Sequence, residues 1–351
     1  MKQTHFGNQG GELALIRQIR ERATRAAGRS RLGGLRLGIG DDCALLALRA
    51  GEELAVTTDL SIAGLHFRLD WHQPEAVGHR ALARGLSDLA AMGARPVAAF
   101  LSLGVPRELS VSSSDRRTGR RAGIRSWVQR FFDGLLALAE AHKTPLAGGD
   151  LAESPVAVAD IVLVGAVPCG RALLRAGARP GDLLYVTGTL GGAAAGLARL
   201  AELALPGNTK PPRIPKKLNV LLAPHLYPQP RIAQGLWLQR HGLASAAIDL
   251  SDGLSTDLAH LCAESGVAAE VDAALLPVGL GANMAQALHG GEDYELLFTA
   301  PAAARLPRTI AGVSVTKIGC IIKPRKGHPT ISLLTARGTE SLEPRGWEHF
   351  S

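Results

Sequence analysis

Four short acidic sequences constrain this chain more than any other feature: Gly38-Ile39-Gly40-Asp41-Asp42, Leu86-Ser87-Asp88, Gly148-Gly149-Asp150 and Asp249-Leu250-Ser251-Asp252-Gly253. They are spread over more than two hundred residues, so a shared role requires distant segments to meet. Each sets carboxylates beside Gly or Ser, where the backbone turns tightly and nothing bulky shields the charge, which is how hard oxygen ligands are presented to Mg²⁺. No Lys or Arg lies within any of the four, although the chain carries a net charge of +8. That combination favours neutralisation by metal ions over neutralisation by neighbouring cations.

The length of 351 residues suits two domains, and 46% hydrophobic content is enough for sizeable cores. Aromatics make up only 4%, so Leu, Ala and Val build those cores, and 41 glycines serve turns and close backbone approaches; the class expected is a Gly-rich α/β protein. Cys43, Cys169, Cys262 and Cys320 are isolated, without a Cys-x-x-Cys pair, which argues against disulfide and zinc-finger frameworks and for a reduced, cytoplasmic setting. Residues 1–11 hold no apolar leader core, and later apolar runs are broken by charge, Gly or Pro, so no membrane association is expected. Much of the positive excess falls between Arg107 and Arg130, a run read as a solvated face or loop; anionic small substrates account for the field as well as nucleic acid does, and no nucleic-acid partner is expected.

Periodicity and turn signals give a coarse map. Glu12 to Arg29 reads as a helix, Glu53 to Leu60 as a strand delivering Thr57, Thr58 and Asp59 at its end, and Pro74 to Gly93 as a largely buried helix that carries Asp88. A strand over Val97 to Leu103, the Arg-rich insertion around 110–126, a helix over Trp127 to Ala141 and a central strand over Val156 to Val167 follow. A domain boundary falls near Cys169, giving units 1–168 and 169–351. Beyond it, Asp182 to Thr187 is a strand, Thr187-Gly188-Thr189-Leu190-Gly191-Gly192 opens a helix, and Pro206 to Lys217 is a surface loop. Ala246 to Asp249 then leads into a helix running to Ser265, which sets the fourth acidic motif at a strand-to-helix turn, where α/β proteins bind ligands.

The chemistry these motifs support is metal-assisted phosphate chemistry. There is no G-x-x-x-x-G-K-[ST] loop, and acids follow Gly38-Ile39-Gly40 where a dinucleotide fingerprint needs its third Gly. Phosphates bound here would be held in large part by several Mg²⁺ ions bridging them to protein carboxylates. Singly, a Gly-Asp turn or an Asp at a helix start is an ordinary turn or cap. Together, Asp41-Asp42, Thr57-Thr58-Asp59, Asp88, Asp150, Asp249 and Asp252 make a metal cluster the better reading. Gly290-Gly291-Glu292-Asp293-Tyr294-Glu295 is a second acidic concentration; Glu292 at the turn can contact a cationic ligand group, and Glu295 reads as strand-surface charge. His66 alone reads as a structural histidine.

In order along the chain, Gly38 to Asp42, Thr57 to Asp59, Gly64-Leu65-His66-Phe67, Leu86 to Ala94, Gly148 to Asp150, Gly170-Arg171-Ala172 with Arg175, Thr187 to Gly191, Asp249 to Gly253, Gly290 to Leu296 and Gly346-Trp347-Glu348-His349-Phe350 resemble the thiamine-monophosphate kinase family. The resemblance implies an ATP-dependent kinase converting thiamine monophosphate into thiamine diphosphate, the final step in making that coenzyme. It implies an aminoimidazole-ribonucleotide synthetase-like fold: an N-terminal α+β domain with a ferredoxin-like sheet that pairs with its twin in a homodimer, then a C-terminal α/β domain. Carried over by position, it implies Asp42, Thr57, Thr58, Asp59, Asp88, Asp150, Asp249 and Asp252 as Mg²⁺ ligands. ATP contacts would be Gly149, Asp150, Arg175 and Ser251, and substrate contacts His66, Glu292 and Trp347. No covalent or general-base residue is expected, because the acceptor is a phosphate oxygen already ionised near neutral pH. The sequence departs from the family pattern at Gly192, where Asp is frequent, at Phe132, where some members carry Tyr, and in the Arg-rich insertion. A selenophosphate synthetase-like enzyme would carry a reactive Cys near its N-terminus, and residues 1–42 contain none; a non-catalytic nucleotide or Mg²⁺ sensor would lack acceptor-side residues, and Glu292 and Trp347 are present.

Overall fold

The structure is a computed structural model of the chain, and it describes residues 12–27, 34–39, 43–110, 125–204, 207 and 209–346. Asp41, Asp42, Trp347 and most of the Arg-rich insertion lie outside the described residues.

Helix α1 (Glu12–Ala27) and the short strands β1 (Leu35–Leu37) and β2 (Leu45–Leu46) lead into β3 (Glu52–Ile62), α2 (Pro74–Ala91) and β4 (Arg95–Val105). A short α3 (Arg107–Ser110), then α4 (Trp127–Ala141), β5 (Leu146–Glu153) and β6 (Val158–Pro168) complete the first part. Its sheet has the order β3-β6-β4-β5, antiparallel except for the β4–β5 pair, which α4 connects. Pro74 starts α2 with its fixed φ, and Ser126 and Gln129 form a capping box on α4. The two helices pack backbone to backbone: a Cβ at Gly78 would stand 1.9 Å from the carbonyl oxygen of Phe131, and one at Gly134 would stand 1.8 Å from that of Glu75. Leu82, Leu86, Phe131, Leu135, Ile161 and Leu163 form the centre of this core. The other face of the sheet is covered around Val97, Ala147 and Val164 by the β1–β2 ladder, whereas Leu54, Val56 and Leu60 of edge strand β3 stay exposed.

The second part runs β7 (Leu183–Thr187), α5 (Gly192–Leu203), α6 (Asn219–Leu226), α7 (Ile232–His241), β8 (Ala246–Asp249), α8 (Leu254–Ser265), β9 (Ala268–Asp272), α9 (Met284–His289) and β10 (Leu296–Ala300). Strands β11 (Thr309–Ile310), β12 (Val313–Ile322), β13 (Ile331–Thr335) and β14 (Gly338–Ser341) follow. Its sheet has the order β14-β13-β9-β12-β7-β10-β8 with β11 on β12. β10 is buried along its whole length between β7 and β8, as its run Leu296-Leu297-Phe298 requires. The two parts meet where α7 crosses α2; a Cβ at Gly235 would lie 1.9 Å from the carbonyl oxygen of Ala90.

Two expectations about local structure change. Gly148-Gly149-Asp150 is not a turn but lies inside β5, because an apolar β4 offers it a ladder partner; Gly149 (φ +144°) lets the strands approach, since a Cβ there would be 1.9 Å from the carbonyl oxygen of Leu101. Thr57, Thr58 and Asp59 lie in the middle of an eleven-residue strand, not at its exit, since pairing with β6 continues to Ile62.

Candidate active site

The site is assembled around the turn from β8 to α8. Gly253 (φ +109°) makes the turn, and the Asp257 carboxylate fastens it by accepting the N–H of Asp252 at 3.1 Å and of Gly253 at 3.0 Å. The 290s loop is zipped onto the same turn: Glu292 N–H donates to the Ser251 carbonyl (2.8 Å) and Tyr294 N–H to that of Leu250 (2.9 Å). Glu292 and Tyr294 take left-handed backbone conformations, at φ +66° and +50°, that such residues adopt at a cost. Strain of this kind persists where the surroundings over-determine the geometry, and here two backbone hydrogen bonds do so.

Helix α2 brings the second acidic group. Asp88 accepts a short hydrogen bond from the Thr57 hydroxyl of β3, and neighbouring Ser87 donates to buried Asp249 at 2.7 Å, so α2, β3 and β8 are tied at one point. Burial raises Asp59 to about 6; Arg84, 3.3 Å away, pulls against this and Asp88 adds to it. Burial also raises Asp88 to about 6, with the charge of Asp249 next in importance. Asp249 is raised by burial, which outweighs the Ser87 hydrogen bond, and Asp59 pushes it further up. Arg175 lowers both Asp88 and Asp249, which sets its charge within range of the pair.

A cavity of about 510 Å³ opens beside these acids. Asp59, Asp88, Asp249, Ser251 and Asp252 line one side, and His66, Phe67, Arg68, Trp71 and Glu292 another. The His66 ring accepts the N–H of Ile62 through Nδ1 at 3.1 Å. Arg68 stacks over Trp71, 4.7 Å from the ring centroid, and pairs with Asp70. Arg80 holds Glu292 at 2.6 and 2.8 Å, and the rings of His72 and His225, which also line the cavity, meet at 2.9 Å. Burial depresses both histidines, His72 to about 3, with Arg80 reinforcing the effect, so the pair is neutral.

Of the residues singled out in the sequence, the structure brings Asp59, His66, Asp88, Asp249, Ser251, Asp252 and Glu292 to one cavity. Thr57 reaches it through Asp88. Thr58 leaves β3 on the opposite, exposed face, as strand alternation demands. Gly149 and Asp150 sit on β5 and, like Arg175, are not in the cavity wall. Asp42 and Trp347 lie outside the described residues, although Gly346 packs against Asp252: a Cβ at Gly346 would be 1.9 Å from that residue's carbonyl oxygen. Glu295 is not strand-surface charge: it is buried, grips Arg231 and accepts the Thr187 hydroxyl at 2.6 Å. Phe132 is a buried core residue against Phe131, and Gly192 begins a helix that Asp293 caps by accepting Gly191 N–H (2.5 Å) and Ala193 N–H (3.0 Å).

Sequence reasoning missed Arg80, Arg84, His72 and His225. The first two had a usable signal: Arg80, Arg84 and Asp88 fall four residues apart on a helix rich in Ala and Leu, which aligns them along one face. Outside the four acidic motifs, Arg84 pairs with Asp59 and Arg80 with Glu292.

Mg²⁺ fits the donor set. Asp249 is buried and Asp59 and Asp88 are half-buried; like charge pushes the pKa of each upward, and all three offer hard oxygen atoms, a combination a divalent cation relieves. Among the described residues no three His, Cys, Asp or Glu side chains close around a single point.

Residues 40–167 match the family described as AIR synthase related protein, N-terminal domain, and residues 179–322 match its C-terminal domain. The chain is similar to the thiamine-monophosphate kinase of Escherichia coli K12, at 38% identity over 97% of this chain and 98% of that protein. It superposes on the crystal structure of thiamine-monophosphate kinase from Stenotrophomonas maltophilia with a TM-score of 0.75 and 38% identity, covering 92% of this chain and 96% of that one. It also superposes on AaThiL complexed with AMPPCP and TMP, with a TM-score of 0.71 and 30% identity, covering 99% and 100%.

Proposed function

The chain belongs to the thiamine-monophosphate kinase family, and from that premise we propose how its own residues carry the family's reaction. It is an ATP-dependent phosphotransferase that converts thiamine monophosphate into thiamine diphosphate. The observation that carries the assignment of residues is that one cavity has carboxylates on one side and His66 and Glu292 on another, which matches a polyphosphate donor facing a cationic, phosphorylated acceptor.

Asp42, Thr57, Thr58, Asp59, Asp88, Asp150, Asp249 and Asp252 are assigned to Mg²⁺, with Thr58 contributing through its backbone because its side chain leaves the other face of β3. When bound, Mg²⁺ supplies charge neutralisation on the phosphate oxygens. Gly149, Asp150, Arg175 and Ser251 are assigned to ATP; Arg175 pairs with a phosphate, and Gly149 leaves the backbone unshielded. His66, Glu292 and Trp347 are assigned to thiamine monophosphate, whose thiazolium charge the Glu292 carboxylate complements and whose rings an indole can stack upon. The acceptor phosphate is ionised near neutral pH, so no side chain has to remove a proton, and the protein's contribution to a direct in-line transfer is orientation and a water-poor wall.

Three further assignments belong to the same reading. The domains are 1–168 and 169–351. The protein is a homodimer joined through the first sheet, because Leu54, Val56 and Leu60 are 51%, 55% and 45% exposed on one face of edge strand β3, an apolar stripe that a second copy would cover. It works in the cytoplasm, in keeping with four free cysteines; no helix among the described residues is long and apolar enough to cross a membrane.

The test is purified protein with ATP, Mg²⁺ and thiamine monophosphate, scored for thiamine diphosphate, with free thiamine and EDTA controls. Product is expected only with the monophosphate and the metal. Asp249→Asn should lower turnover at least about 100-fold while the protein stays folded. No diphosphate from the wild-type protein would overturn the reading, and full activity in Asp249→Asn or in EDTA would overturn the metal assignment.

A further inference from the structure

Arg80 is 7% exposed and belongs to none of the ligand sets assigned above, yet it touches two of the three residues assigned to the acceptor. Its Nη2 donates to Oε1 and Oε2 of Glu292 at 2.6 and 2.8 Å and to the His66 carbonyl at 3.2 Å. Its Nη1 donates to the His225 carbonyl, in the last turn of α6, at 2.9 Å. One guanidinium thus joins α2, the loop after β3, the end of α6 and the 290s loop. The Glu292 backbone is held by Ser251, and among the described residues Arg80 is the hydrogen-bond donor to its carboxylate, with Nδ1 of His225 at 3.5 Å. His225 is kept neutral by burial, so the cation hydrogen-bonded to Glu292 is Arg80, with the charge of Arg84 in range behind it.

We infer that Arg80 is a positioning residue for the acceptor: it fixes the Glu292 carboxylate and the His66 loop relative to each other, and so sets affinity for thiamine monophosphate without touching ATP. The inference rests on the proposed acceptor site. The planar fork matters as well as the charge, because a lysine ammonium can reach Glu292 but cannot hold the His66 and His225 carbonyls in the same geometry. Charge-assisted hydrogen bonds of this kind are worth about 10- to 100-fold in an equilibrium when removed.

The experiment measures kcat and KM for both substrates in Arg80→Met, Arg80→Lys, Glu292→Gln and the double variant Arg80→Met/Glu292→Gln. Arg80→Met should raise KM for thiamine monophosphate by about 10- to 100-fold and leave KM for ATP within about 2-fold, and Arg80→Lys should fall between it and the wild type. In a Glu292→Gln background the effect of Arg80→Met should largely vanish, which a merely structural role would not produce. Should Arg80→Met fail to fold, Arg80→Lys carries the reading through the same KM split. An unchanged or lower KM for thiamine monophosphate, or equal rises in both KM values, overturns the inference. Calorimetric binding of thiamine monophosphate separates this result from the proposed function: an inactive wild type whose acceptor binding still weakens in Arg80→Met would refute the kinase reading and leave the role of Arg80 standing, whereas unaltered binding would refute that role.

Discussion

Removing Arg231 should destabilise the protein more than removing the charge it answers. The Glu295 side chain is 5% exposed and that of Arg231 19%, and the guanidinium meets the carboxylate through Nε at 2.6 Å and Nη2 at 2.5 Å. Arg231→Met leaves a buried carboxylate whose remaining side-chain donor is the Thr187 hydroxyl, and breaking a buried pair from one side costs about 3–5 kcal/mol. Glu295→Gln leaves the stranded cation on the side with more access to water, keeps an acceptor for Thr187, and should cost about 1–3 kcal/mol. The double variant should be less destabilised than the sum by at least about 1 kcal/mol, since the neutral amide no longer needs a counter-charge. Steric room is small: a Cβ at Gly188 would sit 1.9 Å from Glu295 Oε1, so the turn before α5 rests on this carboxylate. Urea unfolding at pH 7, followed by circular dichroism and fluorescence, measures all three variants. A loss below about 1 kcal/mol in Arg231→Met, or strict additivity in the double variant, would refute the argument.

Two other expectations follow from burial and packing. Asp293 is raised by burial to about 7, against an ordinary 3.8, so the folded state takes up a proton that the unfolded chain does not; its contribution is fullest at low pH and fades as pH rises through 7. Relative to Asp293→Asn, the wild type should therefore gain about 1.4 kcal/mol between pH 8 and pH 6, and a difference that is flat or of opposite sign would show the acid to be ionised throughout. Gly134→Ala forces a methyl group to within 1.8 Å of the Glu75 carbonyl oxygen and should cost about 3 kcal/mol or more by separating α2 from α4; an unfolding midpoint unchanged from wild type would mean that the helices can part freely.

Much of this architecture could be read from local pattern. The α4 boundaries follow from Ser126 and Gln129 at one end and the apolar period between, and β8 to α8 follows from a short apolar run broken at Ser251-Asp252-Gly253. What misled was the meaning of glycine. Gly148-Gly149 looks like a turn in sequence, but the neighbouring strand supplies a ladder in which only a residue without a Cβ fits at Gly149. Charge pairing was illegible for a different reason. Glu292 lies 212 residues from Arg80, and Glu295 lies 64 from Arg231, so no spacing rule connects either pair before the chain is folded. Most acids that converge on the cavity were recognisable as candidates because they stand next to Gly, Ser or Thr or within a motif that holds one; Arg80 and Arg84 signalled themselves only by their spacing from Asp88, since a single Arg on a helix ordinarily faces solvent.

Helix α2 explains how a basic chain maintains an acidic site. Arg80, Arg84 and Asp88 recur every four residues, so they form one row along a helix whose other faces are buried among Leu82, Leu86 and Leu89. Along that row the chemistry changes sign: Arg80 holds Glu292 beside His66, Arg84 pairs with Asp59 at the middle, and Asp88 with Ser87 joins Asp249 at the far end. Three helical positions therefore span the distance from the proposed acceptor contacts to the proposed metal ligands, at about 1.5 Å of rise per residue or about 12 Å in all. Such a row works as a ruler only if the helix cannot slide. Gly78 against Phe131, Gly85 against Leu163 and Gly235 against Ala90 bring backbone or branched side chains to within 2.6 Å of where a Cβ would stand, so α2 is seated against α4, the first sheet and α7 at once. The spacing between the proposed acceptor contacts and the proposed metal ligands is thus set by one tightly seated element, and Arg80 ties the 64–72 and 290s loops to it.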